Sequence, residues 1–191
     1  MYPQYTPGAI EVITGPMFSG KSEEILKKLR ILNHARRKVL VVKPSFDTRF
    51  GIDKIRSRAG IEVSATPVNH SAKILDLAKD YDAVIIDEAH FFDLDLVKVV
   101  EELANQGKYV VVSGLDTNFK KEPFKVIAKL LAVAEHITKL KAVCSNCQQA
   151  ATTTFRTIQD DQENLLGDDD IYEARCRSCH ILGTKQKNQK R

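Results

Sequence analysis

IEVITGPMFSGKS, residues 10–22, puts a short β-prone run, Ile10–Thr14, directly before a glycine loop and the start of a helix. Gly15 to Ser22 fit G-x-x-x-x-G-K-[ST], the loop whose glycines let the backbone curl until several N–H groups and a helix N-terminus face a nucleotide's β-phosphate. In that pattern Gly15, Pro16, Met17, Phe18, Ser19 and Gly20 form the cradle of an ATP site, Lys21 bridges β- and γ-oxygens, and the Ser22 hydroxyl ligates Mg²⁺. Ile25, Leu26, Leu29 and Leu32 follow at helical spacing, giving the strand–loop–helix order that a phosphate loop requires. A glycine-rich turn carrying a surface lysine does not account for those flanks.

Working outward, Val39–Val42, Ala83–Ile86 and Tyr109–Val112 are continuous apolar runs too short for helices, which suits parallel strands buried on both faces. Between and after them, residues 71–79, 94–105 and 125–134 read as helices, with Gly107 a stop after the second. The expected fold class is α/β. A length of 191 residues suits one domain with a small appendage, and 43% hydrophobic against 28% charged residues excludes a disordered chain. From Ile137 the texture changes to short β-prone pieces, so the expected division is a nucleotide-binding domain over 1–138, a small lobe over 139–183 and a flexible basic tail over 184–191. The N-terminus lacks a signal-peptide pattern and no stretch is long and apolar enough to span a bilayer, so a soluble, cytoplasmic protein without membrane attachment is expected. The net charge of +4 comes partly from KQKNQKR, residues 185–191, which does not favour nucleic acid as a partner.

A phosphate loop also needs a carboxylate at a neighbouring strand end to hold the magnesium hydration shell, and Asp87, after Ala83–Ile86, supplies it. Glu88 follows at once and is assigned as the general base. Asp87, Glu88, Ala89 and His90 also spell the DEAH box of helicases, but those enzymes use two motor domains and this chain has room for one. Cys144/Cys147 and Cys176/Cys179 form two C-x₂-C knuckles, the pattern of a tetrathiolate structural zinc. The long span between the pairs suggests that one zinc staples the base of a projecting loop. His180 is an alternative fourth ligand to Cys179. Redox chemistry by a single C-x-x-C competes with this reading, but paired knuckles favour a closed structural site. By itself the acidic stretch 159–170 reads as a solvated surface loop.

GPMFSGKS at 15–22, DEAHFF at 87–92, SGLDTNF at 113–119 with Pro123 and Phe124, and the two cysteine pairs together resemble type II thymidine kinases, from about Ile10 to His180. The resemblance implies a RecA-like domain with helices on both faces of a parallel sheet, and a zinc lobe carrying a lasso loop that closes over deoxythymidine through backbone hydrogen bonds. The lasso would be Gln159 to Asp170, with Glu163, Asn164, Leu165, Leu166 and Gly167 at the base. Glu88 would deprotonate the 5′-hydroxyl. Phe92, Leu115, Phe119 and Phe124 would wall the nucleoside, with Met17 and Thr154 nearby and Tyr172 on the closing strand. Asp47-Thr48-Arg49 matches the family's DTR segment, where Arg49 would meet phosphate charge and Asp47 assist around the metal; Ala89 and His90 complete the nucleotide site. A homotetramer and feedback binding of dTTP are further implications. The chain departs from the family at His90, where glutamine is more usual, and in the acidic run Asp168, Asp169, Asp170; Lys120 and Lys121 add a basic patch near the substrate mouth. The competing functions are a single-stranded nucleic-acid-binding P-loop ATPase, gripping with its zinc ribbon and basic tail, and a kinase for another nucleoside.

Overall fold

A computed structural model describes residues 7–48, 51, 53–56, 60–162 and 165–189. In chain order the elements are β1 (Ile10–Thr14), α1 (Lys21–His34), β2 (Val39–Pro44), β3 (Lys54–Arg56), β4 (Glu62–Ser64), β5 (Thr66–Val68), α2 (Lys73–Leu77) and β6 (Ala83–Ile86). After a 3-10 turn at Ala89–Phe91 come α3 (Leu96–Asn105), β7 (Tyr109–Gly114), α4 (Lys125–Val133) and β8 (His136–Lys139). Two small antiparallel pairs follow, β9 (Ala142–Val143) with β10 (Ala150–Ala151) and β11 (Thr153–Arg156) with β12 (Tyr172–Arg175), and then α5 (Arg177–Gln189).

Six strands form the main sheet in the order β5-β2-β6-β7-β1-β8, every pairing parallel. Every residue of β1, β6 and β7 is buried, which is why these strands read as unbroken apolar runs. Successive side chains point to opposite faces. Val12, Ile86 and Val112 therefore pack with Leu96, Val100 and Leu103 of α3 and Ile127 and Leu130 of α4. Ile13, Ile85 and Val111 meet Ile25, Leu29 and Leu32 of α1 on the other side. The α1 side also holds a buried polar group: Lys28 Nζ lies 2.8 Å from Glu11 Oε2, and the Tyr109 hydroxyl donates to the same carboxylate.

Two elements differ from the sequence expectation. β8 belongs to the main sheet, pairing Glu11–Thr14 with His136–Lys139, so the chain leaves that sheet only at Leu140. It is an edge strand with mostly exposed side chains, and so lacks the apolar run that marks its neighbours. The stretch expected to be a flexible tail from residue 184 is helical as far as Gln189. Lys187 anchors it by donating to the carbonyls of Arg156, at 2.9 Å, and Ile158.

Candidate active site

Parallel pairing sets the C-terminal ends of β1, β6 and β7 side by side, with β7 between the phosphate-loop strand and the carboxylate strand. The loops that leave those ends share one crevice, the usual ligand position in an open α/β sheet. At the phosphate loop Gly20 has φ 86° as it opens α1, a conformation other residues rarely adopt. A Cβ on Gly15 would stand 2.7 Å from the Leu140 carbonyl oxygen, so only glycine lets the loop pass the end of β8. Lys21 is buried and curls over its own loop, Nζ donating to the carbonyls of Gly15 at 3.2 Å and Pro16 at 2.8 Å. The Ser19 hydroxyl donates to the Pro16 carbonyl as well. Two contacts tie the loop to the small lobe: the Met17 N–H donates to Thr154 Oγ1 at 3.0 Å, and Phe18 packs against the apolar cluster around Cys144 and Cys179.

The two adjacent carboxylates have different surroundings. Asp87 is buried, and its Oδ1 accepts from the Ser113 hydroxyl and from the Glu88 N–H at 2.9 Å. Burial, then the neighbouring Glu88 charge, pushes its carboxyl up to about 6, against the opposing pull of the Ser113 hydrogen bond. Neither hydrogen bond uses Oδ2, which suits a hard cation or its water. Glu88 stands at φ 51°, ψ 39°, a left-handed conformation that costs a non-glycine residue about 1–3 kcal/mol. That turn separates its carboxylate from Asp87 and brings it to the crevice. His90 lies beside it, Nδ1 3.5 Å from Glu88 Oε2 and 3.3 Å from the Leu115 N–H that donates to it. The imidazole thus links the ends of β6 and β7.

The cleft brings together Met17, Phe18, Ser19, Gly20, Lys21 and Ser22 with Glu88 and His90. Across from them stand Leu115, Phe119 and Phe124, then Thr154 and Tyr172 of the lobe, then Leu165, Leu166 and Gly167 of the lasso. Gly15 and Pro16 are buried behind the loop, and Ala89 is in the core. Phe92, expected as a wall, is a correction: it packs in the core with Leu96, and Phe91 lines the cleft instead. In a 3-10 turn residues three apart stack on one side, so Ala89 and Phe92 share the core face and Phe91 turns outward. Asp47 is buried with Oδ2 3.5 Å from Lys43 Nζ, Thr48 is exposed, and neither borders the cleft. Arg49, Glu163 and Asn164 lie outside the described residues. Thr117 and Asn118 of the SGLDTNF segment, Asp168 of the lasso and Arg156 also line the cleft, and of these Arg156 has no motif around it.

The acidic lasso residues have a local use. Asp168 N–H donates to Asp170 Oδ1 at 2.9 Å, and the N–H groups of Ile171 and Tyr172 donate to the Asp168 carbonyl, turning the chain into β12. At the lobe's base, the Sγ atoms of Cys144, Cys147, Cys176 and Cys179 lie within 4.8 Å of one another, Cys147 and Cys176 at 3.6 Å. A tetrahedral zinc with Zn–S of about 2.3 Å sets neighbouring sulfurs about 3.8 Å apart, so the four thiols fit that ion. His180, the alternative ligand, is directed elsewhere, its Nε2 2.9 Å from the Phe119 carbonyl.

The family model described as "Thymidine kinase" matches residues 8–180. A thymidine kinase of Metamycoplasma arthritidis (strain 158L3-1) is 52% identical over 193 residues, covering 100% of both chains. That of Mycoplasma mobile is 47% identical, covering 99% of this chain and 95% of the relative, and that of Mesomycoplasma hyopneumoniae (strain 7448) is 48% identical over 95% and 100%. Among solved structures, the flagellar accessory protein FlaH of Methanocaldococcus jannaschii superposes with a TM-score of 0.51 over 76% of each chain at 13% identity, a likeness of fold alone.

Proposed function

Because this chain belongs to the thymidine kinase family, we propose that it transfers the γ-phosphoryl group of ATP to the 5′-hydroxyl of deoxythymidine, giving dTMP and ADP. The observation that carries this reading is the single cleft in which the phosphate loop and Glu88 face the Leu115, Phe119 and Phe124 wall and the lasso. Glu88 takes the 5′-hydroxyl proton while that oxygen attacks the γ-phosphorus and the bond to the β–γ bridging oxygen breaks. Lys21 and the loop N–H groups stabilise the charge on the transferring phosphoryl. Ser22 and Asp87 would hold the Mg²⁺ that neutralises phosphate charge, and Arg49 and Asp47 belong to the same reading as phosphate and metal support. The nucleoside base sits under Leu165–Gly167, with Met17, Thr154 and Tyr172 at its margins, and the four cysteines hold one structural zinc.

A homotetramer, feedback binding of dTTP and a cytoplasmic location complete the proposal; among the described residues no helix is long and apolar enough to cross a membrane. Purified protein given ATP, Mg²⁺ and a panel of nucleosides should phosphorylate deoxythymidine with the highest kcat/KM, and another nucleoside leading the panel would replace the substrate. Glu88→Ala should retain ATP binding and lose about 10²–10⁴ in kcat. Near-normal turnover by that variant would remove Glu88 as the base.

A further inference from the structure

The lasso, Gln159 to Asp170, lies in the loop of residues 157–171 between the paired ends of β11 and β12, and the described residues of that loop form no helix or strand. Ordering each backbone residue costs about 1–2 kcal/mol, so a loop of this length holds one shape only if specific contacts impose it. Its apolar side chains are too few to form a core of their own. The contacts converge instead on one side chain.

Arg156, the last residue of β11, is 1% exposed. Its Nη1 donates to the carbonyls of Asp160 at 3.0 Å and Gln162 at 2.5 Å, on the outgoing limb of the loop. Nε and Nη2 donate to the Tyr172 hydroxyl at 3.2 and 2.7 Å, on the residue that faces Arg156 across the β11–β12 pair. That hydroxyl donates onward to the Leu165 carbonyl at 2.8 Å, in the middle of the loop. The flat of the guanidinium lies 3.8 Å from the Phe119 ring centroid, so the same group meets the acceptor wall that follows β7. Asp160 Oδ1 stands 3.5 Å from Nη1 and offsets part of the buried charge.

We infer that Arg156 is the positioning residue of the nucleoside clamp: it sets the lasso over the cleft by binding the backbone of the outgoing limb, by holding the Tyr172 hydroxyl that donates to the Leu165 carbonyl in the middle of the loop, and by stacking on Phe119. Arg156 acts through Leu165–Gly167 and Phe119. Among the described residues the hydrogen bonds from this network to the loop end on main-chain carbonyls, with the Asp160 carboxylate beside the guanidinium. Only a planar fork provides several divergent donors and a stacking face together; a lysine ammonium provides a point charge. A buried guanidinium left without its acceptors is costly, so the network forms as a whole and favours one loop shape over its alternatives.

The inference rests on the lasso being the nucleoside clamp, and the experiment separates the two ideas. Arg156→Lys, Arg156→Met, Tyr172→Phe and a chain with residues 163–167 replaced by glycines are assayed for deoxythymidine KM, ATP KM and kcat. Bound zinc and Tm are measured on each as folding controls. Arg156→Lys should raise the deoxythymidine KM about tenfold or more with the ATP KM within about twofold. Tyr172→Phe, which removes the hydroxyl that accepts from Arg156 Nε and Nη2 and donates to Leu165, should raise it about threefold, and adding it to Arg156→Lys should change little further, because both act through one network. A wild-type deoxythymidine KM in Arg156→Lys, or an equal rise in both KM values, overturns the inference. If the glycine loop raises the deoxythymidine KM while Arg156→Lys does not, the clamp stands and the arginine's role falls; if the glycine loop leaves it unchanged, both fall. Should Arg156→Met fail to fold, Arg156→Lys and Tyr172→Phe decide the matter.

Discussion

The two sides of the cleft are held in different ways. The phosphate side hangs from β1, β6 and β7, strands with every residue buried and helices packed on both faces. The acceptor side hangs from two-stranded pairs, a four-cysteine cluster, and one arginine that binds a loop by its carbonyls. Dispersed apolar burial gives the first side a rigid frame, which phosphoryl transfer needs because positioning supplies most of the rate. Few and localised polar contacts make the second side the part that can open, since local opening follows the regions with least buried apolar area.

Metal removal tests that difference most strongly. A structural zinc contributes on the order of 10–16 kcal/mol to small metallo-domains. A strong chelator, or Cys144→Ser with Cys176→Ser, should abolish deoxythymidine binding while far-UV circular dichroism keeps the signal of the main sheet and its helices. Loss of the whole fold on zinc removal would break the comparison, because the sheet would then depend on the lobe.

The reverse test weakens the sheet. Lys28→Met removes one partner of the buried pair with Glu11 and should cost about 3–5 kcal/mol, read as a fall in Tm of about 10 °C. The deoxythymidine KM should stay unchanged at temperatures where the variant is folded. A milder change in the same place acts through pH. Burial and then the Glu11 hydrogen bond raise the Tyr109 phenol above its ordinary value. A raised folded-state value means a contribution fully present below about pH 10, the unfolded value, and lost as pH climbs beyond it. Urea midpoints should therefore decline above about pH 10, and Tyr109→Phe should flatten that limb while costing about 1.5–3 kcal/mol at neutral pH.

The smallest effect probes the joint between the two sides. Thr154→Val removes the oxygen that accepts from the Met17 N–H, a loss of about 1 kcal/mol that should appear as a rise of about fivefold in ATP KM with Tm nearly unchanged. An unaltered ATP KM would mean that the phosphate loop holds its shape without the lobe.

How much of this was legible in the sequence differs between the same two sides. β1 and β6 lie where the apolar runs predict them, because strands buried on both faces need no partner's identity to be recognised. The exposed edge strand β8 and the three-residue β3, β4 and β5 carry no comparable signal. Within the site, the phosphate loop and the two carboxylates were readable as motifs, since their chemistry fixes residue type at fixed spacing. The left-handed turn at Glu88 could not be read, nor could the exchange of Phe92 for Phe91, since a single residue's direction depends on how the turn packs.

From residues 10–22 and 83–88 alone follow the strand–loop–helix and two adjacent carboxylates at the end of a buried strand, because local hydrogen-bonding geometry and the apolar run dictate both. Only the tertiary structure decided that Arg156, an arginine with no motif around it, joins Tyr172, Leu165 and Phe119 at one point. Those residues are brought together by a strand pair and a neighbouring β7 loop, and contacts between distant segments have no spacing in the chain by which to be read.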